Sequence, residues 1–166
     1  MQTFLPFADF EETARSLDTR RLGKQRVETL QIVRALTRPG HGWRHHPVVR
    51  MWRGYEEALG AYGIAICREW QRRGYADTCE VKIVDDLRAA GVTVPVRPVE
   101  ELQGAGQLPP WLGHEELHRS HRSALVRKDP DFYRPRLGDV PLDLPYIWPG
   151  APPRQRPTVG RPWAAG

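Results

Sequence analysis

One short run of this sequence, from Leu17 to Glu28, gathers side chains that could grip a phosphodiester backbone and move a proton. It reads Leu17-Asp18-Thr19-Arg20-Arg21-Leu22-Gly23-Lys24-Gln25-Arg26-Val27-Glu28. On a helical wheel Leu22, Leu30, Val33 and Leu36 define a buried arc, and Arg26 falls inside it, where packing alone calls for an apolar residue. A guanidinium on the core side is costly unless its charge is paired, so a carboxylate or a bound phosphate must compensate it. Asp18, Arg21, Gln25 and Glu28, spaced by three or four, line the edge of the arc. Arg20 and Lys24 put like charges one turn apart, at a cost of roughly 0.2–0.5 kcal/mol in an isolated helix, which suits a helix that faces an anion. The alternative is a solvated basic face with a Lys24–Glu28 ion pair.

Histidines supply two further groups. His45-His46-Pro47 opens a helix, where unpaired N–H groups and the helix dipole attract anions, and Trp43 and Arg44 add a stacking surface and a cation. His114, His118 and His121 share a later helix with Arg119, Arg122, Arg127 and Lys128, as a phosphate-contacting helix would. His114-Glu115-Glu116-Leu117-His118 also matches HExxH by letter, with Glu115 as the base of a zinc hydrolase. That helix starts at or just before His114, leaving little scaffold for a first ligand, and no metal site is assigned.

The elements that position these residues are helical. Apolar residues keep a helical period from Thr13 to about Leu36, and Val48, Met51, Trp52, Tyr55, Leu59, Tyr62, Ile66 and Trp70 step by three and four from Pro47 to Arg73, with Gly74 as C-cap. Shorter helices are predicted over Thr78–Ala90 and His114–Lys128, and Val92–Pro110 reads as a loop. The expected fold is an all-α, single-domain helical bundle with long loops over residues 1–149, followed by a flexible Pro/Arg-rich tail at 150–166.

With 40% hydrophobic and 27% charged residues, the chain has the composition of a globular protein, not a disordered one. No apolar run approaches the roughly 20 residues of a membrane helix, and the N-terminus does not read as a signal peptide, so a cytoplasmic, nucleoid-associated protein is expected. Cys67 and Cys79 read as reduced structural thiols. A net charge of +5 favours a polyanionic partner. Only Lys24, Lys82 and Lys128 are lysines; every other cation is arginine, whose planar fork matches phosphate.

The arginine-rich early helix, GWRHHPVVRMW, the long helix ending in RRGY, and LHRSHRSALVRKDPDFY leading to YIWP together resemble one family. It is the phage-type endonuclease V, or pyrimidine-dimer DNA glycosylase, family, in a bacterial branch, over roughly residues 1 to 149. The resemblance implies a compact helical monomer that acts on double-stranded DNA without metal, cofactor or obligate protein partner. It also implies a glycosylase with AP-lyase activity on a damaged or modified pyrimidine, in which the N-terminal α-amine attacks the sugar C1′, forms a Schiff base and nicks the strand by β-elimination. An α-amine, with an ordinary pKa of about 8, is partly neutral at cellular pH, whereas a lysine at about 10.4 is not. Gln2 leaves Met1 in place, so the amine belongs to Met1. The family's adjacent Arg-Glu pair falls on Leu22-Gly23 in an ungapped register, so the carboxylate role passes to Glu28, with Asp18 in reserve. Arg21, Lys24, Gln25, Arg26, His46, His118, His121 and Arg122 are the expected substrate contacts. A DNA-binding protein that kept the scaffold without the chemistry is the alternative, and the zinc hydrolase a third class.

Overall fold

Both long amphipathic periods fold as two helices each, because a local backbone signal interrupts a continuous apolar stripe. The computed structural model describes residues 1–150, so the tail expected at 150–166 lies, from residue 151 on, outside the described residues. Among the described residues the chain is all helical, with no strand. Its helices are α1 (Phe10–Ser16), α2 (Thr19–Thr37), α3 (Pro47–Trp52), α4 (Glu56–Arg72), α5 (Cys79–Ala89), α6 (Val99–Gly104), α7 (Glu115–Lys128) and α8 (Pro130–Leu137).

The expected helix over Thr13–Leu36 breaks at Leu17-Asp18, where Leu17 is buried and extended and the Asp18 carboxylate accepts the Arg21 N–H at 2.9 Å to cap α2. The one over Pro47–Arg73 breaks at Gly54, whose φ of 85° lies in the left-handed region that favours glycine. The stripe continues across both breaks because the paired helices share one core. Val92–Pro110 is not all loop, since it contains α6. Asp129-Pro130 ends α7 as expected and also starts α8, with the Asp129 carboxylate accepting the Phe132 N–H and Pro130 in the first turn.

α2 packs on α4 and α5, α1 lies across α4, and α7 pairs with α8. Leu22, Leu30, Ile32 and Val33 of α2 meet Leu59, Tyr62 and Ile66 of α4 and Ile83 and Leu87 of α5 in one buried cluster. Trp52 sits among Phe10, Tyr62 and Trp111, edge-on to Trp111 at 5.0 Å. Gly63 lets α4 approach its neighbours: a Cβ there would lie 2.8 Å from Thr29 Cγ2 and 2.9 Å from Ile83 Cδ1. No helix among the described residues is long and apolar enough to cross a membrane.

Candidate active site

Residues 2–7 have no helical or strand hydrogen bonds of their own, yet Thr3, Phe4, Leu5 and Pro6 are buried. Buried backbone groups need partners, and side chains from several helices supply them. The Gln25 amide spans the segment like a neighbouring strand: its Oε1 accepts the Phe4 N–H at 2.9 Å and its Nε2 donates to Gln2 O at 3.1 Å. Tyr146 donates to Thr3 O at 3.0 Å, Tyr62 to Phe4 O at 2.9 Å, and Arg122 to Pro6 O at 2.8 Å. The Thr3 hydroxyl accepts the Trp52 indole N–H at 3.0 Å, and Thr13 pairs with both polar groups of the Phe7 backbone.

Leu5 is held at both ends by histidines. Its N–H donates to His121 Nδ1 at 2.9 Å, and its carbonyl lies 2.8 Å from His118 Nδ1, which must carry the proton. His118 Nε2 accepts the Gly113 N–H at 3.0 Å, so both its ring nitrogens are occupied. HExxH therefore has no free second ligand here, and Glu115 is ion-paired to Arg122. His118 and His121, 3% and 0% exposed, anchor the N-terminal segment and do not face solvent as expected substrate contacts would.

Each contact requires a neutral ring, and burial lowers both histidines, His121 from 6.5 to about 3. An unfolded histidine binds a proton below about pH 6.5 while the folded ring does not, so stability is lost as pH falls through that value. The slope is about 1.4 kcal/mol per pH unit for each such ring. The stabilised carboxylates Asp18, Glu57, Glu69, Asp77 and Asp86 have lowered values and lose their contribution only at more acid pH, below about 4. Urea unfolding at pH 5 should accordingly show about 2 kcal/mol or more less stability than at pH 7. A flat profile between those values would contradict the neutral-histidine clamp.

The clamped segment delivers the terminal amine to α2. Met1 N lies 3.8 Å from Glu28 Oε1, with the two side chains 8% and 13% exposed. The two oxygens of Glu28 divide their partners. Oε2 accepts the Gln25 amide at 2.9 Å and the Gln2 N–H at 3.3 Å, while Oε1 faces the terminal amine and, at 3.6 Å, Lys24 Nζ. The carboxylate is thus oriented by neutral donors and presented to two amines. His46 caps α3, its Nδ1 accepting the Val48 N–H at 3.2 Å. Burial and the positive terminal amine lower its pKa against an opposing effect of Glu28, which puts the ring within the field of both groups. Trp148 packs edge-on to His46 at 5.9 Å and tilts against Tyr146 at 4.6 Å. Gln2, Tyr146, Trp148, Arg127 and Lys128 border a cleft of about 400 Å³ beside the segment.

Of the residues expected at the site, the structure gathers Met1, Lys24, Gln25, Glu28 and His46. Arg122 joins His118 and His121 as an anchor of the segment. Arg26 is compensated as its position demands, by Asp77 and by the Trp70 ring 4.2 Å from its guanidinium, and Asp77 also accepts the Cys79 and Glu80 N–H groups that open α5. Arg26 therefore ties α2 to α5 in place of binding a phosphate. Arg21 pairs with Asp18 at 2.6 Å and lies over Tyr133, a junction between α2 and α8. Asp18 stands ten residues before Glu28, about 15 Å along the helix, and is occupied by its cap, Arg21 and Tyr133. Thr3, Tyr62, Tyr146 and Trp148 escaped sequence reading; the only signal was that polar Thr3 and Gln25 sit among residues destined for the core.

A family model described as pyrimidine dimer DNA glycosylase matches residues 1–83, half of the 166-residue chain and the part that carries the amine, α2 and His46. The chain belongs to the pyrimidine dimer DNA glycosylase family. Comparison with curated proteins and with solved structures returned no match. As a member of a DNA glycosylase family the protein has DNA as its substrate. The helix shows why the carboxylate stands at Glu28: Leu22 is fully buried, and a Cβ on Gly23 would lie 2.9 Å from the Trp70 ring, so neither position has room for a charged side chain. Glu28 is two turns nearer the amine-bearing segment.

Proposed function

We propose that the protein excises pyrimidine dimers from double-stranded DNA with the Met1 α-amine as nucleophile, and that it also nicks the strand as an AP lyase. One observation carries this reading: a buried, side-chain-clamped segment ends with its amine 3.8 Å from an oriented carboxylate. The amine nitrogen bonds to C1′ as the glycosidic C–N bond breaks, and the base leaves with the bonding electrons and takes up a proton. The C1′–O4′ bond then opens, giving an iminium between C1′ and the amine. Removal of a C2′ proton expels the 3′ phosphate by β-elimination, and water releases the sugar remnant and restores the amine. Glu28 takes the proton that the attacking amine sheds and balances the cationic sugar that forms. Lys24, 72% exposed, is placed to meet a flanking phosphate.

Borohydride added during reaction with a duplex bearing one cyclobutane pyrimidine dimer should trap a covalent protein–DNA adduct, mapped by mass spectrometry to the peptide that begins at Met1. No adduct, while a control lyase traps normally, removes the Schiff-base mechanism. An adduct on Lys24 reassigns the nucleophile. Salt-sensitive binding without an adduct on dimer or abasic duplex leaves the non-catalytic DNA-binding protein.

A further inference from the structure

The loop between α2 and α3 carries an exposed tryptophan that the site as described does not use. Trp43 is 53% exposed, in a turn closed by hydrogen bonds from Arg44 N–H to His41 O at 3.2 Å and from His46 N–H to Trp43 O at 2.9 Å. Arg53 donates to Arg44 O at 3.0 Å and ties the turn to the end of α3. The indole stands edge-on to His46 at 5.8 Å. From there the rings run on through Trp148 to Tyr146, whose hydroxyl holds Thr3, two residues from the terminal amine. Trp43 is therefore the solvent end of an aromatic wall whose other end is the amine-bearing segment. Arg44, His45, Arg50 and Arg53 are exposed around it.

Single exposed apolar residues are ordinary on protein surfaces. Tyr75, also exposed, has a local account, because it stacks on Trp70 at 4.2 Å across the Gly74 helix end. Trp43 differs in being held rigidly, ringed by cations and joined to the site. The Met1 amine sits in a buried segment and cannot advance into a base stack, so the nucleotide must come to it. A flat apolar ring that enters the stack would hold the gap open, while the surrounding cations meet the phosphates.

We infer that Trp43 is a wedge that inserts between base pairs of the duplex beside the lesion and holds the extruded nucleotide out of the helix, facing the terminal amine. The inference rests on the reading of the protein as a base-excising enzyme. It is tested with the full chain and a pyrimidine-dimer duplex carrying 2-aminopurine next to the dimer, a base that brightens when unstacked. Saturating wild-type protein should raise the fluorescence several-fold, Trp43→Ala should abolish most of the rise, and Trp43→Phe should keep most of it. Under single turnover Trp43→Ala should slow excision of the dimer roughly tenfold more than cleavage at a preformed abasic site, where no base needs to leave the stack. A rise undiminished in Trp43→Ala, or no rise with wild-type protein, overturns the wedge. Equal losses on the two substrates also overturn it. A Trp43-dependent rise without any dimer excision supports the wedge and instead defeats the excision reading.

Discussion

Glu28→Gln is expected to cut single-turnover excision by about 10²–10⁴-fold while leaving the fold in place. The amide can keep one oxygen toward the Gln25 Nε2 and Gln2 N–H donors, so the orienting contacts at 2.9 and 3.3 Å survive. Its other end then turns an NH₂ group toward Met1 N and Lys24, where the wild-type protein presents a carboxylate oxygen. Proton acceptance and compensation of the cationic sugar are both removed, and the terminal amine loses its anionic partner. Pairs of this kind near the surface contribute little to folding, about 0–1 kcal/mol, so the melting curve should barely move. Borohydride-trapped adduct and thermal unfolding, read on the same preparation, check the two halves together. Excision within threefold of wild type, with the fold intact, would take the carboxylate out of the chemistry.

The second large effect belongs to a residue that touches no substrate. Gln25→Leu keeps the side-chain size but leaves the Phe4 N–H, Gln2 O and one contact of the Tyr62 hydroxyl without a partner in a buried setting. Each orphaned group costs about 1–3 kcal/mol, so a total of about 3–5 kcal/mol and a melting point lower by about 10 °C are expected. Excision should fall as well, since the amide is what holds the Met1 end of the segment and one oxygen of Glu28. Gln25→Glu separates the two roles: it can still accept from Phe4 and Tyr62 but cannot donate to Gln2 O, and it sets a like charge beside Glu28. It should retain more stability than the leucine variant and still lose excision. Hydrogen exchange at the Phe4 amide, slow in the wild type and fast in Gln25→Leu, locates the effect. A leucine variant as stable as the wild type would mean that the segment is held by other means.

Gln25 also shows where a sequence reading turns. A wheel centred on Leu22, Leu30, Val33 and Leu36 puts Gln25 at the edge and Arg26 in the arc, because polarity was taken to mean the rim. In the structure Gln25 is 1% exposed and points at the centre of the buried face, while Arg26 lies at its far border under Trp70. The argument that Arg26 needed a carboxylate or phosphate stands on charge alone, and Asp77 meets it. Nothing local to Arg26 identifies a partner 51 residues away. His118 and His121 follow the same logic: helical spacing put them on one face, and whether that face meets DNA or the N-terminal strand depends on where residues 2–7 run.

The helices themselves were determined by the sequence, because period, caps and glycine stops act within a few residues, and so was the need to compensate Arg26 and the availability of Glu28 as a carboxylate on α2. The family relationship was likewise legible in linear motifs. Only the tertiary structure decided which residues are machinery and which are support. An extended, non-periodic N-terminus carries no local signal for its path, and its backbone hydrogen bonds come from α2, α4, α7 and the Tyr146 segment, contacts made across more than 20 residues of chain. Those long-range bonds set the amine beside Glu28.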